Sequence, residues 1–314
     1  MVYLSTLYVN SAISVVNTAT YCRGGGNRPA YDKYLTGAGN TAIDIFRTDL
    51  GKPRTNLDRD TTRYYSRQAD SEMLSYNQYK NIFYWLYVVE YANFNCQEEY
   101  NATLTEDGYH QGGMGSGVTT MPGSHWEQYN GFYPLTPCGY CNELGNGTGI
   151  KNMTIETPYA THTFQVPRWR GFDNPFGDIW TNLEGILIRK TTKDLSNVYT
   201  TDNVFDYTDT LREHTLAGKE CSENGPIKLF DLGETAEIIP RDIDPSASFT
   251  EYKCDMHYGD NGISGLRTLL VGGSGFDGSG AGLGWFNSAY DVYGTEPGVG
   301  FRSVSLFVSF SWVE

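Results

Sequence analysis

No run of apolar residues in this chain approaches the roughly 18 that a membrane helix needs, so helical insertion into a bilayer is not expected. Charge is sparse as well. Charged residues make up 19% of the chain, below the usual quarter, and 37 Asp+Glu against 23 Lys+Arg leave a net charge of -14. That balance disfavours nucleic acid and anionic membrane, which both recruit Lys and Arg patches. Residues Met1 to Val16 carry no early Lys or Arg and no clear cleavage site, so cytoplasmic synthesis without a secretory signal is the expectation. The glycosylation triplets at Asn101, Asn146 and Asn152 then have no consequence.

Cysteine is too scarce for a metal knuckle. Of the six (Cys22, Cys96, Cys138, Cys141, Cys221, Cys254), Cys138 and Cys141 alone form a CxxC, and a second close pair to complete a four-ligand zinc site is missing. His110 and His125 fall near it at irregular spacing, in a glycine-rich setting that favours exposed or hydrogen-bonded histidines over ligands. No metal is expected, and free thiols are the default. The words of a hydrolase are also lacking. Gly113-Met-Gly-Ser-Gly and Gly272-Gly-Ser-Gly-Phe both miss the Gly-x-Ser-x-Gly nucleophile elbow. Glu98 and Glu99 cannot be placed on one cleft, and a glycosidase needs two carboxylates at a defined separation. The chain reads as neither an enzyme nor a cofactor protein.

What is abundant is aromatic: 24 Tyr, with Phe, Trp and Tyr together at 14%. The chain is organised around Leu266 to Arg302, where strand-like runs at Leu269 to Val271 and Val299 to Phe301 enclose a long stretch of Gly, Ser, Asp and Tyr. Loops beyond about 12 to 15 residues are usually functional or disordered. Phe276, Leu283, Trp285, Phe286, Tyr290 and Tyr293 supply more aromatic surface than a solvated tail carries. Tyr with Ser, Gly and Asn is the composition of antibody contact loops. A binding surface at about 272–298 follows, the other reading being a glycine-rich loop packed on its own domain with Trp285 and Phe286 as core anchors.

Taken in order, Met1 to Val16 is rich in β-formers. A segment 1–20 that docks on a neighbour's sheet or forms an edge strand is expected. Thr55 to Asp70 reads as a helix. A second begins at Tyr76 with Ser75 as cap, and Ile82, Trp85, Leu86, Val89 and Phe94 form the stripe expected to face a core. Tyr109 to Ile155 is loop-dominated. Arg168 to Ile188 is a turn at Gly171, Asn174, Pro175 and Gly177 followed by an apolar frame at Ile179, Trp180, Leu183, Ile186 and Ile188. Thr191 to Phe249 offers short polar strands. The alternating SVSLFVSFSWV closes the chain as a half-buried strand, which would bring its end beside its beginning.

The words VGG, DG, AGL, WFN and VGFR, at Val271 to Gly273, Asp277 to Gly278, Ala281 to Leu283, Trp285 to Asn287 and Val299 to Arg302, resemble the C-terminal cassette of C-type-lectin-fold variable proteins. That family includes phage tropism determinants, in which a reverse-transcriptase-linked system diversifies chosen codons of a display loop. FDNPFGDIWTNLEGI resembles a second segment of such phage proteins and is similar to a word of the formylglycine-generating-enzyme branch; CRGGGN, DLGKPRTNLDRD and YKNIFYWLYVVEYANFN also resemble phage relatives. The enzymatic branch would need paired C-terminal cysteines, and none lies between Asp255 and Glu314. Calcium-type lectin words are missing too, Glu296-Pro-Gly standing where Glu-Pro-Asn would be.

The resemblance implies an α+β fold. In it a C-type-lectin-like domain over 21–314 has two early helices, a twisted antiparallel sheet and long irregular loops. It implies displayed positions at Ser274, Gly275, Phe276, Ser279, Gly280, Gly284, Ser288, Ala289, Tyr290, Asp291, Tyr293, Thr295 and Glu296. Of these, with Trp285 added, Ser274, Phe276, Ser279, Trp285, Ser288, Tyr290, Asp291, Tyr293, Thr295 and Glu296 are the candidate ligand contacts. The function implied is a virion structural protein made in the host cytoplasm, a homotrimeric fibre or adhesion subunit. It would bind a bacterial surface receptor, protein or polysaccharide, and other virion proteins. An architectural head-fibre or decoration protein, or a bacterial surface variable protein, are the alternatives.

Overall fold

The computed structural model describes residues 2–3, 55–68, 71–91, 93–125, 135–136, 140–157, 159–192, 194–248 and 254–305. Cys138 and the word CRGGGN, which holds Cys22, lie outside them.

Among the described residues the chain is mostly β, 37% strand against 16% helix, divided among several sheets. The expected α+β C-type-lectin-like domain with two early helices on one antiparallel sheet is therefore corrected. The strands explain why the pattern was misread. Many of the described strands are two or three residues long and carry no period, whereas Gly149–Glu156, one of the two longest described, falls mostly in the stretch read as loop, and its partner Thr161–Trp169 lies just beyond it. The largest sheet is also mixed. Its order is Ile239–Ile243, Gly225–Asp231, Met256–Tyr258, Phe286–Asn287, Leu270–Val271, Trp180–Asn182, Val299–Gly300. Met256–Tyr258 runs parallel to Phe286–Asn287, and Val299–Gly300 parallel to Trp180–Asn182.

A four-stranded antiparallel sheet (Thr215–Cys221, Leu195–Thr200, Ile186–Lys190, Gly265–Arg267) shares the main core, to which it gives Ile186, Ile188 and Val198. The long hairpin of Gly149–Glu156 and Thr161–Trp169 closes a second core, with Met153 opposite Phe164 and Val118, Leu135 and Val166 around them. Of the 1–20 segment, Val2–Tyr3 is described. It pairs antiparallel with the chain's own end, Val2 with Val304 and Tyr3 with Ser303.

The first helix, Arg59–Gln68, starts where the Asp58 carboxylate accepts from Thr61 N at 2.7 Å. Its inner face is polar. Arg59, Thr62, Arg63 and Ser66 are buried, because Arg59 and Arg63, one turn apart, both close on the wholly buried Glu184. Arg59 donates to Glu184 Oε2 at 2.8 Å and Arg63 to Oε1 at 2.9 Å, and Asp209 pairs with both guanidiniums at 3.5 and 3.1 Å. Arg59 also donates to Ile186 O and Thr268 Oγ1.

Ser75 caps the second helical run as its sequence suggests, in a reciprocal box with Gln78. Of the stripe expected to face the core, Ile82 and Trp85 pack against it and the other three turn outward. Leu86 and Phe94 are exposed, Val89 is 65% exposed, and Ile82 and Trp85 are half-buried. The buried face is tyrosine: Tyr76, Tyr79, Tyr84, Tyr87 and Tyr91. The cause is a π-helical stretch, Tyr79–Trp85, between α-helical Tyr76–Gln78 and Leu86–Tyr91. The wider turn lets residues five apart, Tyr79 and Tyr84, share a face that a 3.6-residue period separates. Tyr76 accepts from Ile238 N at 2.9 Å, and Tyr79 donates to Leu283 O at 2.6 Å.

Replacing Glu184 by Gln should strand two buried guanidiniums and cost about 3 to 5 kcal/mol in urea unfolding. A loss below about 1 kcal/mol would show that water or Asp209 alone satisfies the arginines.

Candidate functional site

The strand Trp180–Asn182 holds both ends of the 272–298 segment. Leu270 and Val271 pair with Asn182 and Thr181 on one side, and Val299 and Gly300 with Trp180 and Thr181 on the other. The words FDNPFGDIWTNLEGI and VGG…VGFR thus meet in space. Arg302 donates to the carbonyls of Asp173 and Asn174, Gly177 N to Gly272 O at 3.0 Å, and Gly275 N to Asp178 O at 3.0 Å. Trp180 and Trp285 pack edge to face, centroids 5.5 Å apart.

The turn before the strand is tight. Asn174, Gly177 and Asp178 all have positive φ. The Asp178 carboxylate accepts from Leu135 N and Thr136 N, at 2.7 and 3.2 Å, which ties the second core to the frame. Burial pushes this carboxyl up to about 7 even so, the two amides offsetting part of the rise.

Within the segment, Phe286–Asn287 is a strand in the middle of the seven-stranded sheet, so two separate limbs flank it. The first limb lies on residues 97 and 119–121: Gly278 N donates to Thr119 O, Met121 N to Gly275 O, and Gln97 Nε2 to Gly278 O. Its glycines allow close approach. A Cβ on Gly280 would lie 2.0 Å from the Trp285 ring, and one on Gly282 would lie 2.4 Å from Cys254 Cβ. The second limb is held by Arg267, which donates to Asp291 Oδ2 at 2.7 Å, by Thr268 N on Tyr290 O, and by Asn56 N on Glu296 O.

The candidate contacts divide three ways. Phe276 (48% exposed), Tyr293 (69%), Asp291, Thr295 and Glu296 face solvent. Ser279, Trp285 and Tyr290 are half-buried, and the Tyr290 hydroxyl is enclosed with no hydrogen-bond partner among the described residues. Ser274 and Ser288 are buried, as are Gly275, Gly280 and Gly284. Ser274 gives both its amide and its hydroxyl to Asp277 Oδ2, each at 2.6 Å. Small polar residues suit a bend turned inward as well as one turned outward, so composition alone did not separate these classes. Gln97 and Asn56 were missed because each acts on the segment from a distant place in the chain, and Arg267, just before the segment, because nothing in the sequence pairs it with Asp291.

No protein-family model matches this chain, and no curated protein matches it. Its function is read from geometry.

Ser288 belongs to a buried charge cluster. Lys190 pairs with Glu220 at 2.5 Å, Ser288 Oγ donates to Glu220 Oε1 at 2.6 Å, and His257 Nε2 lies 3.0 Å from Ser288 Oγ and 3.6 Å from Glu220 Oε2. Serine, histidine and acid are together, but not as a nucleophile relay: hydroxyl and carboxylate share one ring nitrogen, and all are buried. Burial alone would raise the Glu220 carboxyl; Lys190 and His257 hold it down, at about 2. Among the described residues no group of three or more His, Cys, Asp or Glu is placed to hold a metal ion. Cys141 is buried with its thiol on Val166 O, His110 pairs with Glu90, and His125 Nδ1 faces His162 Nε2 at 3.1 Å.

Two outcomes follow from this arrangement. In a library randomised across 274–296 and selected for folded protein, Phe276, Tyr293, Thr295 and Glu296 should accept most residues; Ser274, Gly275, Gly280, Gly284 and Ser288 should return nearly unchanged, and equal tolerance at both sets would refute the two-limb frame. Asp255, behind Gly284, is raised by burial to about 7 from an ordinary 3.8, the Tyr84 hydroxyl offsetting part of the rise. The folded state then holds the proton more tightly, so this group's contribution to stability falls as pH rises from about 4 to about 7. Asp255→Asn should remove part of that fall, on the order of 2 kcal/mol between pH 5 and pH 8, as read by urea unfolding at the two pH values.

Proposed function

We propose that this chain is a virion structural protein, a fibre or adhesion subunit that presents the outward residues of 272–298 to a receptor on a bacterial surface. One observation carries the reading. A segment with almost no regular structure is pinned from beneath by residues 97, 119–121, 178 and 267–268, yet leaves Phe276 and Tyr293 projecting. A loop already held in one shape loses little conformational entropy when it binds. Aromatic side chains ringed by small polar groups are the usual anchors of such contacts.

The acidic surface keeps the subunit soluble at high copy number. It also argues for a receptor recognised through aromatic and hydrogen-bonding contacts in place of nucleic acid or anionic lipid. Assembly as a trimer on the particle, after synthesis in the host cytoplasm, would turn several weak sites into strong attachment.

Phe276→Ala with Tyr293→Ala alters exposed side chains, so stability should change by no more than about 0.5 kcal/mol each. Adsorption to host cells should fall at least about tenfold, the loss of one modest hot spot. Unchanged adsorption by the folded double variant would remove the display role. Mass photometry should find the mass of three chains, and a monomer at working concentration would end the trimer proposal.

A further inference from the structure

A separate concavity of about 230 Å³ lies where the strands Leu195–Thr200 and Thr215–Cys221 open into their connecting loop. Thr200, Thr201, Thr215, Asp202, Glu234 and Glu237 line it, and Leu216 and Ala217 supply its apolar part. One wall is fixed from inside. Glu237 is almost wholly buried and takes a 3.1 Å ion pair from Lys80, whose ammonium also donates to Thr235 Oγ1 at 3.1 Å. That carboxylate is already matched. Asp202 and Glu234 are exposed, and among the described residues neither side chain makes a hydrogen bond or ion pair.

The lining suits a ring that carries several hydroxyls. Carboxylate oxygens accept from hydroxyl donors, and threonine hydroxyls both donate and accept. Leu216, 57% exposed, gives the apolar face of such a ring somewhere to rest. The volume lies below the roughly 300 Å³ at which drug-sized sites begin, which sets the ligand at one ring. Two unmatched carboxylates repel an anionic sugar and admit a neutral or amine-bearing one.

We infer that this concavity is a saccharide subsite for a single neutral or amine-bearing sugar ring, formed by residues outside 272–298 and independent of the role proposed for that segment. Saturation-transfer NMR on the full-length chain with glucose, glucosamine and glucuronate at millimolar concentration tests it. Saturable signals are expected for the first two, with glucuronate weaker by about fivefold, the effect of one like charge near 4 Å in water. Asp202→Ala with Glu234→Ala, both exposed positions, should abolish the signal with the melting temperature kept, and Phe276→Ala with Tyr293→Ala should retain it. No saturable signal from any of the three sugars, an equal signal from glucuronate, or an unchanged signal in the Asp202/Glu234 variant would overturn the inference. Loss in the Phe276/Tyr293 variant alone would move sugar binding to the display surface and overturn it equally.

Discussion

The carboxylate of Glu184 is a charge without access to water, and the surrounding fold is arranged to keep it matched. Its oxygens take one guanidinium each from Arg59 and Arg63, while its own backbone bonds Leu74 and Tyr76. One residue therefore ties the first helix, the entry to the second helix and the end of the strand that holds the 272–298 segment. Buried ion pairs add little net stability over apolar packing. Their effect is selective: a helix whose inner face is arginine has one place in the molecule where it can lie without stranding charge. Asp209 and Thr268 complete the same cluster from two further elements.

This constraint also limits what could be read in advance. The Ser75 cap, the turn through Asn174 and Gly177, and the apolar frame after it are local signals, and local chemistry determines them. The inner face of the first helix is a long-range matter. Nothing in RDTTRYYSRQ says that its arginines turn inward, because their partner lies more than a hundred positions away. The second helix misled in another manner. Its apolar residues match a 3.6-residue period, but the π-helical turn shifts the face, and the tyrosines, amphipathic enough for either side, take the core. The resemblance in words drew the whole chain toward an α+β plan. The two words that carried it do touch through Trp180 and Trp285, yet the surrounding architecture is a set of small, mostly β layers.

The course of the 272–298 segment was legible in outline and not in detail. Length, glycine content and aromatic content marked out 272–298, and the outward Phe276 and Tyr293 were among the residues named. Ser274 and Ser288 belong to the interior because Asp277 and Glu220 wait there to accept their hydroxyls, a fact held by spatial neighbours and invisible to composition. Asp202 and Glu234 drew no notice in the sequence. Their carboxylates converge on one hollow through the pairing of two strands and a loop beyond them.

The strand Phe286–Asn287 divides the 272–298 segment by anchoring its midpoint in the sheet, between Leu270–Val271 and Met256–Tyr258. Each limb is thereby a short span with both ends fixed to rigid β-structure. A change in one has no slack through which to pull on the other. Substitutions in the two limbs should combine nearly additively, so a useful change in one need not wait for a compensating change across the strand. A surface built in this manner can be altered in halves.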